Sequence, residues 1–144
     1  MKKMENKKQT FKFLEHTADI KFQAYGETLE ESFKNSALAM FNAMSDKAIN
    51  PKKKKKIKVI GTDLENLLYS FLEEMLLLLD NKNFFLSKIN KIKINKKKLI
   101  LNAELSGDSV KNYETKVDVK AVTYNEMFVQ KIKNLWICQV VLDV

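Results

Sequence analysis

A chain of 144 residues with 45% hydrophobic content is long enough for one compact domain and short for two. Its single cysteine, Cys138, excludes an internal disulfide and fits a reducing compartment. The formal charge of +8 invites a nucleic-acid partner, yet every basic residue is lysine, which lacks the planar fork used in base-edge readout. The charge therefore supports weak attraction to phosphate and argues against sequence-specific binding.

The opening "MKKMENKKQT" is basic, with no apolar segment behind it, and reads as a flexible leader over residues 1–10 preceding one domain over residues 11–144. An apolar strand-like run follows and is interrupted by "FLEHTADI" (13–20), which holds Glu15, Thr17, Asp19 and His16, the one histidine of the chain. Beyond it, Ile20, Phe22 and Ala24 alternate with Lys21, Gln23 and Tyr25, so Asp19 sits at the mouth of a strand and faces away from its core side. A turn satisfied by the Thr17 and Asp19 side chains fits this local pattern as well as a functional knot does.

"YGETLEESF" (25–33) and "IGTDLENLL" (60–68) then repeat one plan. A short β run ends at glycine and a helix begins, with Thr28 and Glu31, and again Thr62 and Glu65, at the spacing of capping boxes. The first helix should bury Leu29, Phe33, Ala37, Met40, Phe41 and Met44. The second should bury Leu64, Leu67, Leu68, Phe71, Leu72, Met75 and Leu79. Between them, Lys52 to Lys56 after Pro51 reads as a solvated loop. The longest apolar stretch, "LLYSFLEEMLLLL", carries Glu73 and Glu74 and is too short to cross a bilayer, so the expectation is a soluble, cytoplasmic protein.

After Asp80 the period changes to two. Ile92 and Ile94, a turn at "NKK", and Leu99, Leu101, Ala103 and Leu105 read as a hairpin, and "SGDS" as a loop. Val117, Val119 and Ala121 alternate next, followed by "MFVQKI" and "WICQVVLDV", with Cys138 as a small buried hydrophobe. The predicted class is a single α+β domain: two helices packed on one face of a mixed β-sheet, with internal duplication of a strand–helix unit.

The last strand delivers Asp143 and the α-carboxylate of Val144 at its end. If it lies beside the strand that follows Asp19, three anionic groups converge and would repel one another without a cation. One histidine and one cysteine cannot build a tetrahedral zinc site within a subunit, whereas an all-oxygen set suits calcium, magnesium or manganese. The alternative for Asp143 is a charged residue in solvent. His16 beside carboxylates reads first as a hydrogen-bonded orienting group, and no nucleophile motif, phosphate loop or dinucleotide fingerprint completes a catalytic set.

The ordered blocks "FLEHTADI", "AYGETLEESFKNSALAMFNAMSD", "DLENLLYSFLEEMLLLLD", "KVDVKAVTY" and "VVLDV" resemble the archease family over nearly the whole chain beyond the first ten residues. The resemblance implies a non-enzymatic activator of the GTP-dependent RtcB-type tRNA-splicing ligase, promoting guanylylation of the ligase and multiple turnover, with tRNA reached indirectly through the ligase and no membrane partner. It puts the ligands of a divalent metal, calcium foremost, on Asp19, Asp143 and the terminal carboxylate of Val144. Lys120, in "KAVTY", matches a further family position and is assigned to contact with the ligase, its nucleotide or RNA; His16 is a second candidate for partner or nucleotide contact. Where many relatives have histidine after "KAVTY" this chain has Asn125, which removes a titratable group there. A general chaperone or RNA-binding accessory module, resting on the lysine surface and exposed Met and Phe residues, is the rival class. A metal-dependent hydrolase using the carboxylates directly is a further one.

Overall fold

The structure, a computed structural model, describes residues 10–16 and 18–144; Thr17 and residues 1–9 of the leader lie outside the described residues. The elements run β1 (Phe11–Leu14), β2 (Ile20–Gly26), α1 (Leu29–Met44), β3 (Lys53–Ile60), α2 (Leu64–Lys82), β4 (Phe84–Asn95), β5 (Ile100–Ser109), β6 (Ala121–Ile132) and β7 (Leu135–Asp143), with a 3₁₀ turn at Val110–Asn112. The α+β single domain stands. In place of one mixed sheet, however, the strands form two sheets, β1-β2-β7-β6 and β3-β5-β4, in which every pairing is antiparallel. Each strand that precedes a helix pairs with the second strand of a hairpin: β2 takes β7 and β3 takes β5. Antiparallel pairs hold slightly better per residue than the parallel neighbours a strand–helix–strand crossover would give. β5 and β7 are thereby saturated on both sides.

The duplication is closer than the predicted capping boxes suggest. At the first corner Thr28 caps α1, its Oγ1 accepting from Glu31 N (3.0 Å), while Glu31 Oε1 accepts from Glu27 N (2.6 Å). At the second corner the cap is Asp63 and not Thr62: Asp63 Oδ1 accepts from Asn66 N (2.8 Å), and Asn66 Oδ1 accepts from Thr62 N (3.0 Å). Counted from Gly26 and Gly61, the positions are the same. A carboxylate cap satisfies orphan amides as well as a hydroxyl does, so Thr62 is displaced from the role. Glu30 and Glu65 then correspond. Glu30 accepts from Ile94 N and Glu65 from Val129 N, both at 3.3 Å and both across 64 residues of chain. Each glycine lies under the first turn of its helix, where a Cβ on Gly26 would collide with Ser32 N and Glu31, and one on Gly61 with Leu67.

The helices bring the two sheets together: α1 packs on β2, β4 and β7, and α2 on β3, β4 and β6. All six apolar residues predicted for α1 are buried. In α2, Leu67, Leu68, Phe71, Leu72 and Met75 are buried, whereas Leu64 and Leu79 are half-buried against the core. Cys138 is fully buried, its thiol pushed up to about 11 by burial and donating to Ser32 Oγ at 3.4 Å.

Three further expectations give way. Lys53 to Lys56, expected in a solvated loop, extend the short β run before Gly61 into the strand Lys53–Ile60, because Ile57 and Val59 point into the core opposite Ala103 and Leu101 while Lys54, Lys56 and Lys58 reach solvent on long aliphatic stems. "SGDS" belongs to β5. Gly107 there comes so close to Phe85 O and the Phe84 ring that a side chain would not fit. The buried Asp108 is held by Tyr113 Oη (2.7 Å), Ser109 N (2.8 Å) and Asn112 Nδ2 (3.4 Å). Residues 117–120 are not strand, since β6 begins at Ala121, although Lys120 N still donates to Asp143 O at 2.8 Å. No helix among the described residues is long and apolar enough to cross a membrane.

Candidate functional site

β2 and β7 run antiparallel with Ile20 opposite Leu142. Asp19, one residue before Ile20, and Asp143, one residue after Leu142, therefore lie at the same end of neighbouring strands in the first sheet. Ile20 and Leu142 pack inward, so alternation turns both carboxylates the other way. β6 adds Ala121 opposite Asp143, and the hydrogen bond from Lys120 N to Asp143 O draws Lys120 to the same end. Asp143 and Lys120 are exposed; Asp19 and Val144 are intermediate. The four predicted positions Asp19, Lys120, Asp143 and Val144 thus share one end of one sheet.

His16 is held beside them. Its Nδ1 lies 3.8 Å from Asp19 Oδ2, and its Nε2 lies 3.4 Å from Glu126 Oε2. Nδ1 is buried and has no hydrogen-bond partner among the described residues. Ala18, between His16 and Asp19, has φ 66°, the left-handed region that costs a residue with a Cβ about 1–2 kcal/mol. That conformation bends the chain sharply just before Asp19.

Glu126 is the residue that sequence reasoning missed. β6 departs from its register between Thr123 and Phe128, with residues 124–127 set against the single residue Val140 of β7, and this irregularity brings Glu126 over Lys21 and Gln139 on the outer face. Glu126, itself at φ 56°, sends Oε1 to Lys21 Nζ at 2.7 Å and Oε2 to His16. The Lys21 ammonium first, then the His16 contact, hold its carboxyl below the ordinary range. Tyr124 anchors the other side of the segment, stacked on Tyr69 of α2 with ring centroids 4.3 Å apart and accepting at Oη from Asn66 Nδ2 at 2.7 Å. Gln139 Nε2 donates to Glu126 O (2.7 Å), Gln23 Nε2 to Gln139 Oε1 (2.9 Å), and Tyr25 Oη to Gln23 Oε1 (2.9 Å). The only trace in the sequence is the polar pair Asn125-Glu126 interrupting an alternating run. Asn125 itself is exposed, with its backbone N donating to Thr123 Oγ1.

The donor chemistry of this end is oxygen. Among the described residues no three His, Cys, Asp or Glu side chains stand together as a metal cluster. Asp19 and Asp143 are the two side-chain carboxylates at the paired ends of β2 and β7. The set fits a hard cation in kind, and the buried Nδ1 of His16, without a hydrogen-bond partner among the described residues, is one more polar atom beside Asp19. A cavity of about 270 Å³ lies at the far end of β2, lined by Tyr25, Gly26, Glu31 and Leu135, and shares no residue with the carboxylate end.

The Archease protein family (MTH1598/TM1083) matches residues 11–144. The chain is 39% identical over 139 residues to the protein archease of Sulfurisphaera tokodaii, covering 94% of this chain and 99% of that one. To the protein archease of Pyrococcus furiosus it is 41% identical over 136 residues, covering 90% and 95%. Among solved structures, the solution structure of Methanobacterium thermoautotrophicum protein 1598 superposes with a TM-score of 0.81 at 34% identity, covering 94% of this chain and 99% of that one. The crystal structure of a Thermotoga maritima archease, described as a possible chaperone, shares the fold with a TM-score of 0.66 at 17% identity, covering 91% and 94%.

Proposed function

Because the chain belongs to the archease family, we propose that it activates a GTP-dependent RtcB-type RNA ligase in tRNA splicing, acting as a protein cofactor that carries out no bond chemistry itself. The observation that carries this reading is the meeting of Asp19, Asp143, Lys120 and Val144 at one sheet end, an exposed edge that a partner's cleft can receive. Asp19, Asp143 and the Val144 carboxylate would hold a divalent cation, calcium foremost, which when bound supplies positive charge for phosphate oxygens. The chain's own residues do the rest. β2 and β7 fix the spacing of the two carboxylates, and Lys120 adds a mobile ammonium for the ligase or its nucleotide. Glu126 holds His16 against Asp19 so that the loop does not reorder when the partner docks.

A general chaperone is less well supported. Met40, Met44 and Met75 are buried, and the exposed large apolar side chains Phe13, Ile60, Leu77, Tyr124 and Ile132 lie on four different elements.

The test is transfer of labelled GMP to a purified ligase partner under multiple turnover, with the wild-type chain and with Asp19→Ala. Stimulation by the wild type and none by the variant, with an unchanged thermal melt, is the expected result. Equal stimulation by both would keep the partner and discard the carboxylate site, and a chain extended beyond Val144 should behave like Asp19→Ala.

A further inference from the structure

The outer face of the second sheet has an order of its own. β3 exposes Lys54, Lys56 and Lys58, and β4 exposes Lys88, Lys91 and Lys93. The register sets them opposite one another across β5 in three rungs: Lys54–Ser106–Lys88, Lys56–Glu104–Lys91 and Lys58–Asn102–Lys93. Lys88 and Lys91 are three residues apart and would face opposite ways on a regular strand. Irregularities between Leu86 and Lys88 and between Ile89 and Lys91 reset the alternation, so that both turn outward while Ile89 stays buried. Two rails of lysine result, about 10 Å apart with rungs about 7 Å apart by sheet geometry. They flank a floor of Asn102, Glu104 and the buried Ser106, whose Oγ accepts from Asn90 Nδ2 at 2.6 Å, and the floor includes a groove of about 230 Å³ lined by Lys56, Lys91, Lys93, Asn102 and Glu104. Among the described residues none of these six lysines enters an ion pair.

We propose that this trough binds a single-stranded nucleic-acid backbone by charge and spacing. The repeat along each rail is comparable to the separation of successive phosphates, and the rails stand too close to straddle a duplex. An ammonium is a point charge that takes a phosphate oxygen without demanding a fixed plane, and the floor offers no aromatic platform, so binding is indifferent to base identity. Glu104, the one acid in the floor, weakens the site. The surface lies on a different sheet from the carboxylate end, goes beyond the ligase reading and does not depend on it. Lysines on edge strands, which β3 and β4 both are, also deter edge-to-edge association. That role needs charge but not aligned rungs, and the experiment separates the two.

A labelled oligouridylate of about 12 nucleotides is titrated with the full chain by fluorescence anisotropy at several salt concentrations. The triple variant K56Q/K91Q/K93Q should weaken binding by about tenfold at low salt and reduce the slope of log affinity against log salt by about 2. The control triple K82Q/K111Q/K131Q, which loses the same charge from exposed positions on other elements, should stay within about twofold of the wild type. Glu104→Gln should bind more tightly than the wild type. Equal losses in the two triples would overturn the proposal, as would self-association of the first triple with unchanged oligonucleotide affinity. A poly-glutamate of matched charge binding as tightly as the oligonucleotide would also overturn it, by making the trough a general polyanion surface.

Discussion

Gln139 of β7 and Asn102 of β5 occupy equivalent places, each on the outer face of a central strand and paired with the residue three before a corner glycine, and their surroundings differ completely. Gln139 is buried, receives Gln23 Nε2 and donates to Glu126 O, under a segment of β6 folded over the sheet. Asn102 is exposed, and among the described residues its side chain has no hydrogen bond. The first sheet covers part of its outer face with amides and one carboxylate shared by Lys21 and His16. The second has left its face open and charged. The two frameworks are alike, and the difference between the sheets lies in what is laid across them.

The corners from which both frameworks spring test the likeness most severely. Gly26→Ala and Gly61→Ala each force a methyl group into the first turn of a helix and should each cost about 2–3 kcal/mol, seen as a lower urea midpoint at unchanged slope. A cost at one corner alone would break the equivalence. Gln139→Ala strands the Gln23 amide and the Glu126 carbonyl and should cost about 1–3 kcal/mol. Asn102→Ala should stay within about 0.5 kcal/mol. Similar values for the two would mean that the outer network of the first sheet is decorative.

The smallest effect is in acid. Glu126 and Asp108 both have native pKa values lowered below the ordinary carboxylate range, Glu126 chiefly by Lys21 and Asp108 chiefly by Tyr113. A lowered native pKa stabilises the fold in full above the ordinary value and loses that contribution as pH falls through the lowered one. Thermal melts should therefore decline as the pH drops below about 4.5, the ordinary value for Glu126, and Glu126→Gln should flatten part of that decline. If the variant tracked the wild type at every pH, the link from Lys21 to Glu126 would be dispensable.

What could be read in advance followed local period and charge. Both helices, the inward set Phe22 and Ala24, the β4–β5 hairpin and the buried Cys138 each depend on residues near one another in sequence. The split into two sheets could not be read, because β2 finds β7 across most of the chain and nothing local names the partner. Only the end of β3 was legible, as the short run before Gly61; four consecutive lysines, Lys53 to Lys56, hid the rest. At the site, Asp19 and Asp143 were legible as carboxylates at strand ends. Glu126 was not, since its role comes from a register irregularity that depends on the fold around it.

The bond between Gln23 and Gln139 spans 116 residues, whereas the second sheet draws all its strands from Lys53 to Ser109. As the chain leaves the ribosome, the second sheet can close while β7 is still being made. The first sheet must keep β1 and β2 waiting for it. Asp19 and Asp143 meet only at that pairing, so the acidic end forms after β7 has been made, and a fragment lacking β7 does not contain it.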